Sequence, residues 1–295
     1  MDLLNITLLK GGFNSEREIS LRTGNAANKA LRLLGHIVHE VDVQSPDFEI
    51  PAESDFVFIA LHGGFGENGE LQSILTKKGL RFSGCGEAAS RLAMDKIASK
   101  ERFLKAGVPI AKSAQWTPET VWPFPFILKP ISDGSSVGVF RVFNEADLKE
   151  AREGAKKLGL SMMIEEMVIG KELTVGILGN DVLPIIEIRP KTEFYNYTNK
   201  YTAGCTEYLC PAPLPVDVTK NVQDAALTAY RSLGCEVYGR VDVMLNEKNE
   251  PFVLEANTIP GMTELSLLPK AAGVAGISFP ELCQKIIDLS WDVKR

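Results

Sequence analysis

Two short runs near the C-terminal end, "GRVDVML" and "FVLEAN", set three hard oxygen donors, Asp242, Glu255 and Asn257, among apolar residues. Successive side chains of a strand point to opposite faces, so Arg240 and Asp242 share one face while Val241, Val243 and Leu245 share the other. The same alternation puts Glu255 and Asn257 together, away from Phe252 and Leu254. If "NEKNEP" closes a hairpin through a loop from Glu247 to Glu250, then Asn246 opposes Pro251, Asp242 opposes Glu255, and Arg240 opposes Asn257. Two facing carboxylates repel. A hard divalent cation removes that conflict, and Mg²⁺ takes one or two carboxylates completed by phosphate oxygens and water. The Asn257 amide oxygen fits a third ligand. A solvated polar hairpin face is the plainer alternative, and the apolar mid-strand neighbours weaken it.

Downstream, "TIPGMTELSLLP" reads as a turn into a helix start, where exposed backbone N–H groups suit a carboxylate or phosphate. Gly261 would let a ligand approach the backbone closely. Upstream, "FPFILKPISDGSSVGVF" places Lys129 at a strand end before a small-residue loop with Gly134, Ser135, Ser136 and Gly138, whose amides and hydroxyls can cradle phosphate. A simple hairpin loop would look similar. The chain has no G-x-x-x-x-G-K-[ST] loop. "GCGEAA", Gly84 to Ala89, matches a dinucleotide fingerprint only weakly and reads better as a turn into a helix. In "MMIEEMVIGKELTV" an apolar strand ends at Glu165 and Glu166, with Glu172 following a short linker. A base needs an apolar slot and a ribose diol an acceptor; surface charge is the competing explanation.

These groups need elements to position them. "NITLLKGG", "SEREISLRTGNAANKALRLLG", "HIVHEVDV" and "FVFIALHGG" alternate strand, helix, strand and strand, with Gly35 as the helix stop, which predicts a parallel sheet. Ligands of such sheets bind beyond the carboxyl ends of strands, where "KGGFNSERE" and "HGGFGENGE" lie. One helix is expected over "LAMDKIASKERFLKAG", then a proline-broken stretch. The expected lobes are 1–92, 93–173 and 174–295. The 295 residues, 45% hydrophobic and 24% charged, describe an ordinary globular protein. A net charge of −6 offers no broad attraction to nucleic acid or anionic membrane. No apolar run approaches the roughly 18 residues of a membrane span, so a cytoplasmic location is expected. Five cysteines without a C-x-x-C predict neither a disulfide framework nor a zinc knuckle. His36 and His39 read as surface or packing residues.

In order along the chain, Lys129 with its serine-glycine loop, Glu165 and Glu172, Arg240 with Asp242, and Glu255 with Asn257 resemble the ATP-grasp superfamily. Within it, "SEREISL", "LHGGFGENGELQ", "MDK", "KPISDGSSVG", "KYTAGCTEYLCPA", "GRVDVML" and "LEANTIPGMTELSLLPKAA" resemble the D-alanine–D-alanine ligases over nearly the whole chain. The resemblance implies an α/β fold of three lobes: an N-terminal parallel-sheet lobe, a small central α+β lobe and a larger C-terminal α+β lobe, with ATP gripped between the last two. It implies that Lys96, Lys129 and Lys200 contact phosphates, that Glu165, Glu166 and the backbone to Val168 hold adenine, and that Glu172 holds ribose. Asp242, Glu255 and Asn257 would bind two Mg²⁺ ions, replaceable by Mn²⁺, with a monovalent cation as a further candidate.

Glu16 would pair with the ammonium of the first D-alanine, near His62, while Ser266 and the Leu267 backbone would hold the second carboxylate. Arg240 and the Gly261 N–H would stabilise an oxyanion. Ser135 and Tyr201 would join Glu16 in a bridge between lobes, closed by a lid over 191–208, with Tyr195 as packing. A homodimer through the first lobe is implied by the likeness alone. The alternatives are a D-alanine–D-lactate or D-alanine–D-serine ligase, which Tyr201 after Lys200 disfavours for lactate, and, more distantly, a nicotinamide-dependent oxidoreductase using Gly84 and Gly86. Asp133 stands where the family often has glutamate.

Overall fold

In the computed structural model, the described residues are 3–132, 138–190, 206–263 and 266–294. β1 (Asn5–Gly11) lies between β2 (Ile37–Val43) and β3 (Phe56–Ile59) in a parallel sheet, as the alternation predicts. The middle of β1 is covered on both faces: Ile6, Thr7, Leu8 and Leu9 are all fully buried. α1 (Arg17–Leu33) packs Ile19, Thr23, Ala27, Ala30 and Leu31 inward at helical spacing. Gly35, at φ +92°, follows its end. α2 (Gly64–Glu67) and α3 (Glu70–Lys77) follow the carboxyl end of β3.

The expected single helix from Leu92 is two. α4 (Glu87–Met94) ends at Asp95, which turns extended at ψ 103° and caps α5 (Lys96–Lys105) by accepting from the N–H groups of Ile97 and Ala98 at 3.0 Å. An aspartate competes with helix backbone and favours this N-cap. The break sets Lys96 and Lys100 one turn apart on α5. "GCGEAA" is a turn into α4, with Gly84 at φ +90°; Phe82 before it forms an isolated parallel bridge to Val57. The strand that a dinucleotide site would need is missing there, which removes the structural basis for the oxidoreductase alternative.

β4 (Ser113–Gln115), β5 (Phe126–Pro130), β6 (Phe140–Val142) and β7 (Met162–Glu166) form an antiparallel sheet in the order β4-β7-β5-β6. α6 (Glu145–Leu158) closes it with Ala151 and Ala155 against Phe126, Leu128, Val142 and Ile164. Each large side chain buried in this small core contributes roughly 1.5–3 kcal/mol.

The third sheet holds β8 (Gly170–Leu178), β9 (Asp181–Val182), β10 (Ile186–Pro190), β11 (Thr206–Leu209), β12 (Tyr238–Asn246) and β13 (Pro251–Asn257). Its main order is β11-β10-β8-β12-β13, with β9 on β8. α7 (Val216–Ser232) covers one face; α8 (Leu267–Val274) and α9 (Phe279–Trp291) join it to the first sheet through a shared core that includes Leu268, Ile286, Leu8 and Phe58. The division expected at residue 173 falls inside β8, because that strand pairs with β12 from Gly170 onward.

The hairpin has the expected pairs at its functional end, Arg240 with Asn257 and Asp242 with Glu255. A bulge then shifts the register, so Val243 pairs with Val253 and Leu245, rather than Asn246, pairs with Pro251. One extra residue in β13 reverses its alternation. Val253 and Ala256 take the buried face, and Phe252, expected opposite the carboxylates, pairs with Met244 on their side.

Candidate active site

Three strands, β8, β12 and β13, present the site as three rows. Glu172, Met244 and Phe252 form the first row, Thr174, Asp242 and Glu255 the second, and Gly176, Arg240 and Asn257 the third. A half-buried apolar pair thus adjoins the carboxylates, with Glu172 at its edge. Alternation on β8 could have revealed Thr174, two residues from Glu172; only the bulge brings in Phe252.

Asp242 is fully engaged. Arg240 donates to it through Nε at 2.9 Å and Nη2 at 2.8 Å, Thr174 Oγ1 donates at 2.6 Å and Asn257 Nδ2 at 3.1 Å. Lys96 on α5 lies 3.3 Å from Glu255. Arg240 beside Asp242 and Lys96 beside Glu255 thus offset part of the repulsion between the two facing carboxylates. Among the described residues no group of three His, Cys, Asp or Glu is gathered for a metal. The two carboxylates and the Asn257 amide are still an all-oxygen donor set on one face, which fits a hard cation completed by phosphate oxygens.

Across from this face stands a buried charge cluster. Lys129 at the end of β5 donates to Glu165 of β7 at 2.6 Å, and Lys100 of α5 contacts the other carboxylate oxygen. Lys100 and Glu165 are each 2% exposed, Lys129 8%. Burial alone would raise the Glu165 carboxyl, but the fields of Lys129 and Lys100 overcome it and hold the group below the usual carboxylate range. Burial lowers the Lys100 ammonium, opposed by Glu165. Glu165, expected beside adenine, thus commits both side-chain oxygens to lysines. Glu166 is exposed and Val168 half-buried just beyond. Lys100 is a member of the cluster that only its four-residue spacing from Lys96 marks in the sequence.

At the parallel-sheet edge, Glu16 is the N-cap residue of α1, and its carboxylate lies over Gly63. His62 is 5% exposed, with Nε2 2.8 Å from Thr23 Oγ1 and Nδ1 3.0 Å from the Ile259 carbonyl. Gly261 follows in the same loop. Ser266 caps α8 in extended conformation, its Oγ accepting from Thr263 N–H at 2.9 Å, and Leu267 begins the helix. Ser135, Lys200, Tyr201 and most of the expected lid lie outside the described residues.

The three sheets and these charges define an ATP-grasp ligase, a class supported by solved relatives of the same overall shape. A structure of D-alanine–D-alanine ligase from Bacillus anthracis complexed with ATP superposes with a TM-score of 0.84 at 31% identity, covering 98% of this chain and 97% of that one. A VanG D-Ala:D-Ser ligase from Enterococcus faecalis gives 0.84 at 27% identity over 98% and 100%. The family model described as D-ala D-ala ligase C-terminus matches residues 102–288. Curated D-alanine–D-alanine ligases from Methylacidiphilum infernorum and Syntrophotalea carbinolica are 45% and 41% identical, over 97% and 96% of this chain and 95% and 94% of theirs. The chain belongs to the D-alanine–D-alanine ligase family.

Proposed function

We propose that the chain joins two D-alanines into D-alanyl-D-alanine, with ATP converted to ADP and phosphate, to supply peptidoglycan precursors. An ionised carboxylate resists attack by an amine, so the first D-alanine carboxylate attacks the γ-phosphoryl group and becomes an acyl phosphate. The amine of the second D-alanine then attacks the acyl carbon, phosphate leaves, and the peptide bond forms. The row of Arg240 with Asn257 beside Asp242 with Glu255 carries this reading, because it sets an oxyanion-stabilising cation directly beside the phosphate-facing carboxylates.

In this scheme Lys96, Lys129 and Lys200 hold phosphates, Glu172 the ribose, and the strand end from Glu165 through Glu166 to Val168 the adenine. Glu16 and His62 frame the first D-alanine; Ser266 and Leu267 the second. Arg240 and the Gly261 N–H receive the tetrahedral oxyanion, and Ser135 with Tyr201 closes the lobes over it. Asp242, Glu255 and Asn257 would hold Mg²⁺, or Mn²⁺ in its place, which when bound offsets charge on the phosphate oxygens. Exclusion of water protects the acyl phosphate. Three lobes divided near residues 92 and 173, a homodimer through the first lobe and a cytoplasmic location belong to the same proposal. Among the described residues no helix is long and apolar enough to cross a membrane.

ADP formation with and without D-alanine tests the reaction; nucleotide turnover indifferent to D-alanine would refute it. Because a D-Ala:D-Ser ligase shares the fold, phosphate release should also be compared with D-alanine, D-serine and D-lactate as second substrate. A preference for either of the others at neutral pH would reassign the second site.

A further inference from the structure

The loop that carries Gly261 is anchored to the first lobe by a hydrogen-bond chain. A carbonyl oxygen only accepts, so the 3.0 Å contact of His62 Nδ1 with the Ile259 carbonyl puts the ring proton on Nδ1. Glu67 Oε1 stands 3.7 Å from the same nitrogen. Nε2 lies 2.8 Å from the Thr23 hydroxyl, and the Thr23 oxygen accepts the Met262 N–H at 3.3 Å. Thr23, His62, Ile259 and Met262 are 1%, 5%, 3% and 1% exposed, which keeps water from competing.

Both residues that flank Pro260 and Gly261 are therefore held from the first lobe: Ile259 by its carbonyl, Met262 by its N–H. The anchor also reaches the other end of the site. Asn14 donates to the His62 carbonyl at 2.9 Å and accepts from the Glu16 N–H at 2.9 Å. Thr23 itself lies on α1, the helix that Glu16 caps.

We propose that Thr23 is a positioning residue for the peptide-forming step: through His62 and Met262 it orients the Gly261 N–H toward the tetrahedral oxyanion, without touching substrate. This deepens the ligase reading and rests on it. Phosphoryl transfer to the first D-alanine develops no tetrahedral carbon, whereas attack by the second amine does. Loss of the anchor should slow the second step and leave the first nearly intact.

The test compares Thr23→Val with wild type in two measurements on the full chain with ATP and D-alanine. One is dipeptide formation; the other is positional isotope exchange in ATP labelled with ¹⁸O at the β,γ-bridge, which reports reversible phosphoryl transfer. Thr23→Val should lower dipeptide kcat by roughly tenfold or more, since a misplaced oxyanion donor costs on the order of 10²-fold. The KM for ATP should stay within about twofold, and the ratio of exchange to ligation should rise. Thr23→Ser, which keeps the oxygen, should hold that ratio near wild type. If Thr23→Val does not fold, Thr23→Cys, with a weak hydrogen-bonding thiol, carries the same comparison. A parallel fall of exchange and ligation, or an unchanged ratio, overturns the assignment. A wild-type enzyme that forms no dipeptide would instead refute the ligase reading itself.

Discussion

Lys129 and Glu165, 36 residues apart in sequence, meet at 2.6 Å where β5 ends beside β7. The lysine proposed to hold a phosphate is thus engaged by a carboxylate, and Lys100 shares that carboxylate. With two ammonium groups on one Glu165, the pair of lysines carries one positive charge in excess. In the proposed scheme Lys100 would balance Glu165 while Lys129 turned to the nucleotide.

Lys100→Met should therefore raise the KM for ATP more than it lowers kcat, because Lys129 alone must then balance Glu165. A charged hydrogen bond contributes about 1.5–3 kcal/mol, so the expected rise is about tenfold or greater. Lys100→Arg should recover part of the loss. Steady-state kinetics at varied ATP, with thermal melts as a folding control, would check it; an unchanged KM for ATP would show that Lys100 only packs.

Glu255→Ala should abolish Mg²⁺-dependent turnover while the fold persists. The substitution also removes one partner of Lys96, 3.3 Å away, so a modest loss of stability, about 1 kcal/mol, is expected. Titration of the variant with Mg²⁺ and ATP provides the measurement, and normal turnover would cancel the metal assignment.

Gly63→Ala joins two effects. Gly63 has φ +65°, and a Cβ there would come 2.1 Å from Glu16 Oε2. Strain of about 1–3 kcal/mol should lower the melting temperature by several degrees, while displacement of Glu16 should raise the KM for the first D-alanine. Equal KM values in both proteins would separate Glu16 from substrate recognition.

The Arg17–Asp42 pair predicts a pH effect away from the site. Arg17 donates to both Asp42 oxygens at 2.8 and 2.7 Å, and this hydrogen bonding holds the Asp42 carboxyl below its usual 3.8. A depressed folded-state pKa adds stability above the unfolded value and loses it as pH falls through the folded one. Asp42→Asn should cost ~0.5 kcal/mol near neutrality, a small figure because solvent screens the pair, and the gap to wild type should close below about pH 3.8. Denaturant melts of both proteins between pH 7 and 2.5 would show it.

Much of the architecture was legible because period-two and helical patterns are local. The parallel sheet of β1, β2 and β3, the pairing of Asp242 with Glu255 and a helix start within "TIPGMTELSLLP" all followed from local pattern, while Ser266 itself was named only through the family resemblance. The break at Asp95 was missed since a continuous helical pattern hides a cap, although aspartate before a lysine-rich turn was the available clue. The bulge in β13 carried no such mark: its extra residue is an ordinary leucine or glutamate, and only packing of both Val253 and Ala256 inward demands it.

By itself, then, the chain order settled which residue types could bind phosphate, cation and amino acid, because strand alternation and helix starts depend on neighbours a few positions apart. What neutralises those groups was decided by the tertiary structure. Asp242 takes Arg240 from its own strand, but Thr174, Asn257 and the partners of Glu255, Glu165 and His62 arrive from other elements, up to 197 residues away in the case of Ile259. A buried charge or imidazole takes whichever complementary group the packing brings within hydrogen-bond reach, and that distance is a property of the fold rather than of the local sequence.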